Sequence, residues 1–288
     1  MEKAKKTKNP LTSFMRRPKL FLRLPSQGKW WPDDAVDLGE TGELEVYPMS
    51  VKDELFIKTP DALMNGSATA NVLQSCIPAI KDVWSAPSID MDAMLVAIRI
   101  ATYGEKLTMD VEIPTFNETE PFEIDLRPVL DSMIDEVYWD EVVKVNDDIT
   151  VIVKPIDYRT MSRNQLITFE AERLFRVAAN PNITEEDKSD LVNKGLEKLA
   201  DATLNQILNG IVRIDTSQGS TDDYDHIKEF LANSDPEVFK AVSARFKELN
   251  ERNKKSTIEL QTPPQYAERG APATISTKFE FDYASFFG

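Results

Sequence analysis

One cysteine, Cys76, and one histidine, His226, are all that 288 residues offer of these two types. A lone cysteine excludes an internal disulfide, and the pair falls short of the roughly four nitrogen or sulfur donors that a common structural zinc site needs. Cys76 sits among Val72, Leu73 and Ile77, the setting of a small buried hydrophobe. A nucleophilic thiol would want His226 beside it, but that residue lies in the acidic run DDYDHIKE. Glycine is also scarce, with 10 in the chain, and neither GxGxxG nor GxxxxGK occurs, so no phosphate cradle is visible. Apolar runs are short: MLVAI, Met94 to Ile98, is typical, against the ~20 residues of a membrane span. Arg16, Arg17, Lys19 and Arg23 interrupt what would be the apolar stretch of a signal peptide. The chain therefore reads as soluble, without cofactor, metal, small-molecule substrate or membrane partner.

What is present is charge, unevenly spread. The net value is −15, yet Met1–Arg23 holds eight basic residues (Lys3, Lys5, Lys6, Lys8, Arg16, Arg17, Lys19, Arg23) against the single acid Glu2. The rest then carries 26 basic and 48 acidic residues, a net −22 that repels nucleic acid and anionic membranes from the body. Only the basic leader could attract a polyanion, through release of condensed counterions, and no nucleic-acid-binding motif accompanies it. An acidic protein face is its better match.

Along the chain, residues 1–26 read as a basic extended arm outside the core, because Pro10, Pro18 and Pro25 block a continuous helix. Residues 27–157 read as an α+β domain. In it, LEVYPM alternates like a strand and SVKDELFIK opens a helix with Ser50 as cap and Asp53 three positions on. PDALMNG ends at Gly66, a candidate helix C-cap, and ATANVLQSC and SIDMDAMLVAIRIATYG are helices, the latter the core helix. LTMDVEI and PFEIDL form a hairpin, RPVLDSMIDEVYW a helix with Pro128 in its first turn, and ITVIVKP a strand that closes the unit near Pro155. Residues 158–256 read as a helical region of three amphipathic helices, starting at Met161, Thr184 and Asp235. In the last, Val238, Phe239, Val242, Phe246 and Leu249 form a stripe. Residues 257–288 read as an extended tail in which Phe279, Phe281 and Tyr283 alternate with Glu280 and Asp282, followed by Phe286 and Phe287. The fold class is α+β, mainly helical, with a small antiparallel hairpin in the first half.

Acids are too abundant to mark a catalytic pair. Asp90 with Asp92, and Glu185 with Glu186, stand at helix starts where they stabilise the dipole and free amides. Asp222, Asp223 and Asp225 read as a solvated turn without the ligand spacing of a calcium loop. The aromatic pair of KWWPDD, Trp30 and Trp31, has two readings: anchors for a partner's pocket, or a staple of the incoming chain to its own core.

The order and spacing of LPSQGKWWP, LEVYPMSVKDELFIKTPDALMNGSATANVLQSCIP and IDMDAMLVAIRIATYG resemble the baseplate hub protein family of T-even-like contractile-tailed bacteriophages. The resemblance covers Leu24 to Asp131, and FDYASFFG is similar to an aromatic ending of the same family. It implies a non-enzymatic structural or assembly component of the tail hub, made in the host cytoplasm and docking on other tail proteins, with its own copies as a further candidate partner. A transient assembly chaperone is the alternative. Partner contacts would then fall to Lys5, Lys6, Lys8, Arg16, Arg17, Lys19, Arg23, Trp30, Trp31, Phe279, Phe281, Tyr283, Phe286 and Phe287. Relatives carry a Cys-Pro-x-Cys element where this chain has Ile113, Pro114, Thr115 and Phe116, so hairpin packing must replace any metal knuckle.

Overall fold

The computed structural model describes residues 11, 14–58, 66–113, 116, 118–135, 138–253 and 257–278. The fold is α+β and mainly helical, with small antiparallel sheets, as the pattern of periodicities implies. Its apolar side chains fall into two cores.

The first core is built around a helix with few polar positions. In α3 (Ser88–Tyr103), Met91, Met94, Leu95, Val96, Ala97 and Ile98 are all fully buried, the mark of a helix enclosed on most sides. It follows α1 (Val51–Ile57) and α2 (Ser67–Cys76), and ends at Gly104, whose φ of 92° suits a residue without Cβ. The capping box of α1 is present: the Ser50 hydroxyl accepts from the Asp53 amide while the Asp53 carboxylate accepts from the Ser50 amide at 2.8 Å. Gly66, expected to close a helix, instead precedes α2 at φ 73°, and the PDALMN stretch before it lies outside the described residues.

Against α3 packs a ribbon of β1 (Leu20–Arg23) and β2 (Glu43–Val46), antiparallel with Leu20 opposite Val46 and Leu22 opposite Leu44. This corrects the arm. Leu22 and Leu24 are fully buried, so the core begins at Leu20 and not after Ser26. The alternation of Leu20, Leu22 and Leu24 with Phe21 and Arg23 is a period-two signal hidden among basic residues.

The hairpin of β3 (Lys106–Ile113) and β4 (Glu118–Asp125) runs in register from Lys106 opposite Asp125 to Ile113 opposite Glu118, burying Val111, Ile113 and Ile124. The helix α4 (Leu126–Asp135) follows directly.

The second core corrects the boundary at 157. Strands β5 (Val142–Lys144), β6 (Ile149–Val153), β7 (Ile211–Thr216) and β8 (Gly219–Thr221) form one antiparallel sheet in that order. ITVIV therefore pairs with a hairpin from inside the supposed helical region, Val151 opposite Ile214. Between β6 and β7 run the long helices α5 (Tyr158–Ala178) and α6 (Glu185–Gly210), packed on each other. The acidic turn is also corrected: Asp223 caps α7 (Tyr224–Asn233), accepting from the His226 amide at 2.9 Å. Val238, Val242, Phe246 and Leu249 of α8 (Pro236–Asn253) close the second core with Val143, Val151 and Ile214.

The stretch 257–278 is not an extended tail. Strands β9 (Thr257–Gln261) and β10 (Thr274–Lys278) pair and flank the short helix α9 (Pro264–Ala267); Leu260 and Ile275 of the strands and Tyr266 of the helix enter the first core.

Candidate docking surfaces

The stretch Lys29 to Asp34 is where the two cores meet. Trp31 is buried, and its indole Nε1 donates to Asp90 Oδ2 at 2.7 Å. The Ser26 amide donates to Asp90 Oδ1 at 2.7 Å and the Ser26 hydroxyl to Oδ2 at 2.5 Å, so one carboxylate inside α3 holds the whole incoming turn. Burial drives the Asp90 carboxyl up to about 6, while those donors pull the other way. Asp90 is thus an internal acceptor rather than a helix-start acid in water.

Trp30 faces the second core. Its Nε1 donates to Glu141 Oε1 at 2.8 Å, its ring meets Trp139 edge-on at 6.0 Å, and Trp139 lies 6.3 Å from Phe246. Lys29 adds an ion pair to Glu141 at 3.0 Å. Gln27 and Trp30 hold φ of 55° and 68°, which non-glycine residues rarely adopt, so the turn is strained and kept by these contacts. Trp31 thus packs into the first core, and half-buried Trp30 reaches across to the second. An antiparallel bridge also links Ala86–Ser88 with Ile156–Tyr158 through two backbone bonds of 2.8 Å.

The remaining expected contact residues separate into three groups. Lys5, Lys6, Lys8, Phe279, Phe281, Tyr283, Phe286 and Phe287 lie outside the described residues. Arg16 turns inward: Nη1 donates to Pro48 O at 3.0 Å, and Nη2 to Ser75 O and Oγ at 2.9 Å each. Nη1 also reaches Asp53 Oδ2 at 3.4 Å. It clamps residues 14–17 beside α1. Arg23 pairs with Glu43 across the ribbon at 3.5 Å, whereas Arg17 and Lys19 are exposed.

The clamp assembles a surface that the sequence patterns did not signal. Phe14 (84% exposed) and Met15 (56%) stand next to Arg16, and Val51 (75%) and Leu55 (66%) share the outward side of α1. Phe56 borders a cleft of about 330 Å³ with Arg16, Lys52 and Ser75. Lys52 lines the same cleft, and Arg17, Lys19 and Lys58, near these apolar groups in sequence, are exposed. A capping box says only where α1 starts. The positions left uncovered were legible in hindsight as the spacing of Val51 and Leu55, opposite buried Asp53 and Ile57.

At the other end of the first core, the Tyr266 hydroxyl donates to Glu120 Oε1 at 2.6 Å and Glu118 Oε2 at 3.0 Å. Arg269 pairs with Glu118 at 3.0 Å and covers the Phe116 ring at 4.2 Å. Phe116 lies 5.7 Å from Tyr266, so the two rings pack beside the β3–β4 connection. Among the described residues no group of three His, Cys, Asp or Glu is placed to hold a metal, and no helix is long and apolar enough to cross a membrane. Cys76 is buried, its thiol driven up to about 12 chiefly by desolvation, as suits an inert core residue.

No curated protein and no solved structure matches the chain. A family model described as T4 bacteriophage base plate protein matches residues 15–262.

Proposed function

Because the chain belongs to the T4 bacteriophage base plate protein family, a structural family of the phage tail, we propose that it is a resident subunit of the baseplate hub that works by docking. The observation that supports this reading is the concentration of exposed apolar side chains and cations around α1 on an otherwise acidic body. Large exposed apolar groups ringed by charge are what a protein contact surface requires. In the same reading, the basic residues before Phe14 and the aromatic residues after Lys278 serve as further partner contacts by their chemistry.

The test is incorporation into tails. A deletion reaching Arg23 would remove β1 and unfold the core, so the informative deletion removes residues 1–13 and keeps the Arg16 clamp. In cells infected with phage lacking the gene, that variant is expected to fold and to fail to support tail assembly. Normal assembly would refute the docking role of the leader. Mass spectrometry of finished particles separates a resident subunit, present in fixed ratio, from an assembly chaperone found only in infected-cell complexes.

A further inference from the structure

The face around α1 has a chemistry that selects its occupant. Phe14, Met15 and Val51 are mostly exposed, and Phe56 is partly so. The Arg16 bonds to Pro48 and Ser75 hold the segment before β1 against the α1 and α2 ends, so these groups form one surface. Lys52 lines its cleft, and Lys58, the C-cap residue of α1, and Lys19 are exposed. A ligand for it needs apolar, preferably aromatic, side chains interleaved with carboxylates, and no cations of its own.

The chain contains such a stretch. Residues 279–288, FEFDYASFFG, hold five aromatic residues and two acids with no base. In sequence they follow directly on β10, whose Lys278 is paired with Thr257 just beyond α8. Face and stretch are complementary in both charge and apolarity, and they are separate parts of the chain. Complementary surfaces at different places on one protein make a heterologous, head-to-tail contact, which closes into a ring or extends as a chain.

We propose that residues 279–288 of one copy dock on the α1 face of the next copy, aromatic side chains against Phe14, Val51 and Phe56 and carboxylates against Lys52 and Lys58. This rests on the subunit reading above and names the partner of its main face. Both attractions are local, so the net repulsion between acidic bodies is screened beyond about 8 Å at physiological salt.

Sedimentation of the purified full chain tests it. Mass should rise with protein concentration and fall as sodium chloride is raised. Two variants each remove one half of the contact: Val51→Asp with Lys52→Glu on the face, and Phe281→Ala with Phe286→Ala and Phe287→Ala on the stretch. Circular dichroism should show both folded, because the altered face positions are exposed. Each alone is expected to self-associate at least about tenfold more weakly. Mixed together, they should form a complex of two chains and nothing larger, since each supplies one intact half. A wild type that stays at one chain throughout, an assembly that either variant leaves unchanged, or a mixture without complex overturns the proposal. A single-chain wild type whose face variant still fails to enter tail particles would do so while sparing the subunit reading, since another tail protein would then be the occupant. Normal entry of that face variant would count instead against the main docking face.

Discussion

Replacing Asp90 with asparagine isolates the cost of burying one charge at the seam of the molecule. The ordinary carboxyl value of 3.8 rises to about 6 in the folded protein, so folding favours the protonated form. The folded state binds this proton more tightly than the unfolded state. Its favourable contribution is therefore complete below pH 3.8, declines as pH rises, and is gone above about 6. A shift of roughly two units corresponds to about 3 kcal/mol. The replacement side chain cannot ionise, but its amide nitrogen would confront either the Ser26 amide or the Trp31 indole, both donors, at a pH-independent cost of about 1–3 kcal/mol. Urea unfolding of both proteins from pH 3.5 to 7.5 separates the two effects. The stability difference should move by about 3 kcal/mol in favour of Asp90→Asn as pH rises, every other carboxylate cancelling in the subtraction. The Trp31 indole proton, followed by NMR in the wild type, should titrate near pH 6. A flat difference, or an indole signal that does not titrate, would refute the assignment of Asp90 as a buried, internally bonded acid.

Other substitutions probe the packing. A Cβ at Gly210 would stand 2.2 Å from the Phe246 ring, which is itself backed by Trp139, so Gly210→Ala should cost about 1–3 kcal/mol in denaturant unfolding. Unchanged stability would show that Phe246 has room to yield. Trp30→Ala removes the bond to Glu141 and the contact with Trp139, and calorimetry should then resolve two transitions where the wild type shows one. A single unshifted transition would count against the seam as the coupling element. Tyr266→Phe deprives Glu118 and Glu120 of a shared donor and should lower stability by about 1 kcal/mol, near 2 °C in Tm. No change in Tm would mean that Arg269 and Gln265 suffice.

Local signals were legible where one stretch decides its own structure. The Ser50–Asp53 box, the Val238–Leu249 stripe and the alternating hairpin 106–125 each appear where the pattern puts them. The errors fall where distant chain decides. Leu20–Arg23 is a strand only because Glu43–Val46 lies beside it, and its basic residues suggest an arm when read alone. Ile211–Thr216 follows a long helix without a break, and its strand character is fixed by pairing with Ile149–Val153. The contact surface was harder still. Trp30 and Trp31 are the largest aromatics of the leader region, yet Trp31 is buried and Trp30 half-buried, while Phe14 and Val51 stand outside. Residue type gives the capacity for contact, and tertiary placement decides whether a neighbour or the chain itself uses it.

The first core is completed by Leu260, Tyr266 and Ile275, which follow the whole second core in sequence. On a ribosome adding ~5–20 residues each second, about 140 residues separate the end of α4 from Ile275, a wait of roughly 7–30 s. During that interval the later-made lobe, continuous in sequence from Trp139 to Leu249, is free to fold first. The nascent protein thus matures from its middle outward, and its 106–125 hairpin spends that time without the Tyr266 bonds to Glu118 and Glu120.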